Sequence, residues 1–224
     1  MQLTRRAALL LVLLLALAGC GSGDDEEGGG TSEPAATTTA AEECTTVEAP
    51  EPKPEGGETA PKDDLDPAKT YRLVFSTNCG SFTITLDQKL APNTAASLVS
   101  LGRKGFYDGT TFHRVVPGFV IQGGDPTGTG AGGAGYKTGD VPPPNAQYVR
   151  GVVAMAKTAI EPPGTSGSQF FVVTGADAGL PAEYAIVGKV TAGLETTARI
   201  DALGSGDGPP TIPVVIEKVT VEVS

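Results

Sequence analysis

The 224-residue chain holds one histidine, three cysteines, two methionines and no tryptophan. With His113 the single imidazole, a Ser-His-Asp hydrolase is a poor reading. The same scarcity leaves no convincing zinc set, because a structural zinc usually takes four ligands. Neither a metal nor a cofactor is therefore expected. Positive charge is also short, with 16 basic against 26 acidic residues. The excess acid lies in Cys20 to Lys69, which carries 14 acidic and 3 basic side chains, whereas Thr70 to Ser224 carries 12 and 11. No basic patch marks the globular part, which argues against nucleic acid as a partner. The apolar run Ala7 to Ala18 is shorter than the roughly 20 residues a helix needs to span about 30 Å of hydrocarbon. The glycine-rich GTGAGGAG from Gly128 lacks a Gly-Lys-Ser or Gly-Lys-Thr ending, and with it the case for a phosphate loop.

What is present divides the chain in three. Residues 1–19 join Arg5 and Arg6 to an apolar run and small residues, the pattern of an export signal. Leu17, Ala18, Gly19 and Cys20 resemble the lipobox of bacterial lipoproteins, which implies lipidation of Cys20 and an anchor on the extracytoplasmic face of a membrane. Residues 20–69 are rich in Gly, Ser, Thr, Pro, Ala and acid, and read as a disordered tether with an end-to-end distance of about 40 Å. With Cys20 assigned to lipid, Cys44 and Cys79 remain, and an exported chain meets oxidising conditions. A disulfide between them is the expectation, with two free thiols as the alternative.

Residues 70–224 form the globular part. Tyr71 to Thr77 and Ser81 to Leu86 alternate around Asn78-Cys79-Gly80, a hairpin signature. Helical spacing is expected over Thr94 to Arg103 and Leu194 to Leu203. Short β-branched runs follow at about Thr111 to Val116, Phe119 to Gly123, Gly151 to Met155, Gln169 to Thr174, Tyr184 to Val190 and Pro213 to Val223. The tally is mainly β, antiparallel, with two helices. A closed barrel is favoured, although the pattern alone does not separate barrel from sandwich.

The most informative stretch is FHRVVPGFVIQGGD from Phe112, with SQFF from Ser168 as its distant partner. Strand alternation predicts that Arg114 shares a face with Phe112, Gln122 with Val120 and Gln169 with Phe171, and that His113 turns away. A guanidinium and two carboxamides over a floor of Phe and Val suit a greasy ligand with amide dipoles, such as a peptidyl-proline. Together with Met155-Ala156, Ala91 to Thr94, Gly105 to Arg114 and Tyr184 to Val190, the stretch resembles the cyclophilin-type peptidyl-prolyl isomerases over about Tyr71 to Val223.

The resemblance implies an eight-stranded closed barrel capped by two helices, with residues 125–144 as a surface loop beside the site. It implies Arg114 as the catalytic donor and Phe119, Val120 and Phe171 as the proline pocket. Leu180 would line its wall and Gln122 would lie beside Arg114, with Ala156, Lys157 and Gln169 along the peptide backbone. The implied partners are proline peptides of unfolded exported proteins, and the alternative is a non-catalytic proline-binding or chaperone module. Lys157, Val120, Gly179 and Tyr184 stand where the family often has Asn, Met, Trp and His.

Overall fold

The computed structural model describes residues 43–224. The export signal, Cys20 and the first half of the expected tether lie outside the described residues. Within them, no helix is long and apolar enough to cross a membrane.

Strands β1 (Tyr71–Thr77) and β2 (Gly80–Leu86) form the opening hairpin, paired in register from Arg72–Thr85 to Thr77–Gly80. Asn78 secures the turn. Its amide donates to Thr45 O and Pro213 O at 2.7 and 3.1 Å, and its oxygen accepts from Val215 N at 2.8 Å. Helix α1 (Pro92–Arg103) starts after Ala91, which has no capping side chain. The Asp140 carboxylate serves instead, accepting from Thr94 N at 2.7 Å and Thr94 Oγ1 at 2.6 Å, so a remote acid satisfies the free amides of the first turn.

The remaining strands are β3 (Thr110–Thr111), β4 (Arg114–Val116), β5 (Val120–Gly123), β6 (Thr138–Gly139), β7 (Val152–Met155), β8 (Thr165–Ser166), β9 (Phe170–Val173), β10 (Ile186–Ala192) and β11 (Val215–Val223). Helix α2 (Leu194–Asp201) follows β10 through Gly193, whose φ is 77°. A Cβ there would lie 2.3 Å from Ser81 O, so the close approach of the helix entry to β2 requires glycine.

Nine strands make one curled antiparallel sheet in the order β3-β11-β1-β2-β10-β7-β9-β5-β4, while β6 and β8 pair separately. The closed eight-stranded barrel of the sequence expectation is thus corrected to an open sheet. Its edge strands β3 and β4 are consecutive in the chain and joined through Phe112-His113, with no ladder between them. That break has a second effect. Phe112 packs in the interior with Val115, on the opposite side from Arg114, so the predicted shared face of Phe112 and Arg114 is wrong. Alternation carries across an unbroken strand, and the strand here is interrupted.

Elsewhere the period of two separates two cores cleanly. Val153, Met155, Ile121, Phe170 and Val172 point into the main core with Phe75, Phe82 and Leu101. Their neighbours Ala154, Val120, Phe171 and Val173 point outward into a smaller cluster around Tyr148. Phe75 and Phe82 stack at 4.9 Å, and burial of each such ring stabilises the fold by about 1.5–3 kcal/mol.

Residues 43–69 differ from the expected tether. They carry no regular secondary structure but follow the domain surface as a strap. Cys44 is bonded to Cys79, and Cys44 and Leu65 pack against the main core. The backbone adds Thr45 N to Asn78 O at 2.8 Å, Lys53 N to Pro126 O at 2.9 Å and Gly56 N to Gly133 O at 2.9 Å. Composition read the strap as unable to bury its own surface. It does not need to, because the domain supplies the partners.

Candidate active site

Strand register builds the site. Arg114 lies opposite Gln122, Gln122 opposite Phe171, Phe171 opposite Ala154 and Ala154 opposite Ile186, a row running across five strands. On the outer face, Arg114, Phe119, Val120, Gln122, Ala156, Lys157, Phe171, Leu180 and Tyr184 line a pocket of about 230 Å³. Eight of the expected site residues therefore converge. Gln169 is displaced into the adjoining groove, where its Nε2 donates to Gly130 O at 2.9 Å and Gly132 O at 2.8 Å. Its Oε1 accepts from Gln122 Nε2 at 3.0 Å, so it supports the pocket from behind.

Arg114 is held at the rim. Its Nε and Nη2 donate to the two oxygens of Asp207 at 2.5 and 3.0 Å, and Nη1 donates to Gln122 Oε1 at 3.3 Å. The backbone pairing of Val115 N with Gly208 O at 2.7 Å brings Asp207 to this position. The carboxylate raises the pKa of Arg114, and the guanidinium lowers that of Asp207 in return, so the pair stays ionised. A guanidinium has five N–H donors and three are committed, which leaves two for a ligand.

Phe119 is carried by the Pro117-Gly118 turn. Asp201, the last residue of α2, accepts from Gly118 N with both oxygens, at 3.1 and 3.0 Å, and from Thr174 Oγ1 at 2.6 Å. Tyr184 supplies an aromatic wall, standing edge-on to Phe171 at 5.6 Å. Tyr148 fixes it by donating to Tyr184 O at 2.7 Å and accepting from Tyr184 N at 3.0 Å.

Lys157, expected to follow a bound peptide backbone, directs its ammonium inward. Its side chain is 2% exposed, 3.0 Å from Glu183, and its Nζ lies 5.4 Å from the Tyr184 ring centroid. His113 turns away from the pocket. Both of its ring nitrogens are buried without a hydrogen-bond partner, and burial lowers its pKa against the opposing pull of Asp125. The glycine-rich loop is organised by that same Asp125, which accepts from Thr127 N at 2.8 Å and Gly130 N at 2.6 Å.

Asp207, Asp201 and Glu183 were not singled out from the sequence. Asp207 lies 93 residues from Arg114 in a glycine-proline segment, and nothing local marks it. Tyr184 was visible as a departure from the family pattern, without a role.

Residues 72–221 match the model of the cyclophilin-type peptidyl-prolyl cis-trans isomerases. Peptidyl-prolyl cis-trans isomerase A of Mycobacterium tuberculosis is 40% identical over 175 residues, covering 69% of this chain and 94% of the relative. Peptidyl-prolyl cis-trans isomerase-like 1 of Gibberella zeae is 37% identical over 159 residues, covering 68% and 96%. A crystal structure of a cyclophilin-type isomerase from Cryptosporidium parvum superposes with a TM-score of 0.63 at 32% identity, covering 68% of this chain and 98% of that one. The same protein crystallised in the presence of the dipeptide Ala-Pro gives 0.62. The chain belongs to the cyclophilin-type peptidyl-prolyl cis-trans isomerase family.

Proposed function

We propose that the chain isomerises X-Pro bonds of exported or envelope proteins and assists their folding, held to a membrane by lipid on Cys20. The observation that carries the catalytic part is a guanidinium fixed at the rim of an apolar pocket with two donors free. Phe119, Val120, Phe171, Leu180 and Tyr184 would receive the prolyl ring, and Ala156 would follow the peptide backbone.

Rotation about a peptide bond faces about 18–20 kcal/mol because the nitrogen lone pair is shared with the carbonyl. As the amide twists, the nitrogen pyramidalises and becomes a hydrogen-bond acceptor. Arg114 would then donate to it, an interaction made in the twisted state and absent from either planar isomer. No covalent bond breaks, so the step needs no nucleophile or proton transfer. Bringing isomerisation from tens of seconds to milliseconds takes about 10⁴ to 10⁵, or roughly 5–7 kcal/mol. Arg114 alone need supply only part of this.

A cis-to-trans assay on a short proline peptide tests the reading. Acceleration in proportion to protein supports it, and binding without acceleration would leave a proline-binding module. For the anchor, incorporation of labelled fatty acid that is lost in Cys20→Ala is the expected result, and equal labelling of both proteins would refute it.

A further inference from the structure

The strap is more than a tether. Beside the proline pocket runs a groove of about 580 Å³ that shares Gln122, Ala156 and Lys157 with it. One wall is the glycine-rich loop, and Glu55 of the strap stands at the groove as well. Strap and loop meet backbone to backbone. Gly56 N donates to Gly133 O at 2.9 Å and Glu58 N to Ala134 O at 3.0 Å, and a Cβ on Gly135 would lie 2.9 Å from the Gly56 Cα. Glycine on both sides lets them touch, with φ of 74° at Gly56 and 94° at Gly135.

Side chains fix the strap at either end of this contact. The Lys53 ammonium donates to Phe106 O at 3.1 Å and to Asp108 O, and Glu58 pairs with Lys104 at 2.6 Å. The loop in turn connects to the catalytic row, since Gln169 bonds its Gly130 and Gly132 carbonyls and then Gln122. Both cations that line the groove are already paired. Lys137 is paired with Glu161 at 3.0 Å and Lys157 with Glu183 at 3.0 Å. Among the described residues Glu55 has no cationic partner.

We infer that the strap is a specificity element of the peptide site: it holds the glycine-rich wall and presents Glu55 to the groove, selecting proline peptides with a basic side chain a few residues from the proline. The inference rests on the isomerase reading above and names a substrate class for it. The strap lies outside the residues matched by the family model, which begins at Arg72.

The test compares kcat/KM of the full-length protein on three proline peptides alike except for Arg, Gln or Glu, placed two to four residues from the proline on either side. Arg should exceed Glu by about fivefold at low salt on one side, and the difference should fade in 0.5 M salt as screening predicts. Glu55→Gln should bring the charged peptides together, and Glu55→Lys should invert their order. Lys53→Ala with Glu58→Ala should raise KM for these peptides while kcat changes less, because it loosens the wall. Equal rates on Arg and Glu peptides, or a preference that survives in Glu55→Gln, would overturn the inference alone. Failure to turn over any of the three peptides would overturn the isomerase reading with it.

Discussion

Reduction of the Cys44–Cys79 disulfide is the perturbation with the most calculable consequence. The bond closes a loop of sequence separation 35. In the chain-entropy model, closing a loop of that size removes about 12–13 cal/mol/K from the unfolded ensemble, which stabilises the folded state by about 3.5–4 kcal/mol at 25 °C. For a body of this size each kcal/mol moves the melting temperature by about 2–4 °C, so reduction should lower it by about 7–15 °C. The full shift requires strap and sheet to unfold as one unit. Their shared contacts favour this, since Thr45 and Asn78 exchange hydrogen bonds beside the disulfide and Cys44 packs on the main core. The assay is a pair of thermal melts with and without reductant, with Cys44→Ser as the control that leaves Cys79 inside the core. Cys79 itself is 1% exposed, and its replacement would add a cavity cost unrelated to the loop. A shift below about 2 °C in both the reduced protein and the variant would refute the reasoning.

Two further predictions concern charge. Asp207→Ala should lower kcat/KM about tenfold by freeing the Arg114 side chain, and Asp207→Asn, which keeps one acceptor, should cost less. Because Arg114 holds the Asp207 carboxyl below the ordinary carboxylate range, the wild-type rate should persist as pH falls to about 4 and drop below that, a step Asp207→Ala should lack. An unchanged rate for Asp207→Ala would show that Gln122 alone orients the guanidinium. His113 acts on stability. Its folded pKa is depressed, so the unfolded chain binds a proton that the folded chain resists, and stability should fall as pH drops below about 6.5. Melting temperatures of His113→Phe should depend less on pH over that range, and an identical profile would place the acid sensitivity elsewhere.

The two helices and most strands were legible because their patterns are local. Ala95, Leu98 and Val99 mark α1 by helical spacing, and β1 and β2 alternate without interruption. The pocket floor was legible for the same reason, as Val120, Phe171 and Gln122 sit on strands whose period holds. What escaped depends on contacts distant in sequence. Phe112 changes sides because the chain leaves the sheet between β3 and β4, which no periodicity reports. Asp207 reaches Arg114 through the bridge of Val115 to Gly208, and Asp140 caps a helix 46 residues away. The course of residues 43–69 is not legible from composition, because a polar segment that cannot fold alone can still satisfy its backbone on a neighbour.

If Arg114 donates to the prolyl nitrogen as the amide twists, Arg114→Ala removes that donor and nothing else in the pocket. The measurement is a cis-to-trans assay on a proline peptide with matched binding titrations and thermal melts. By comparison with loss of one preorganised donor, the rate should fall by about 10² to 10³, equivalent to roughly 3–4 kcal/mol of barrier. Peptide affinity should change little, because in the proposed mode Phe119, Phe171 and Tyr184 would receive the proline ring in both planar isomers. Stability should also change little, because the pair with Asp207 is solvent-exposed. A variant that isomerises at near wild-type rate would contradict the account and leave Arg114 a surface cation on an edge strand.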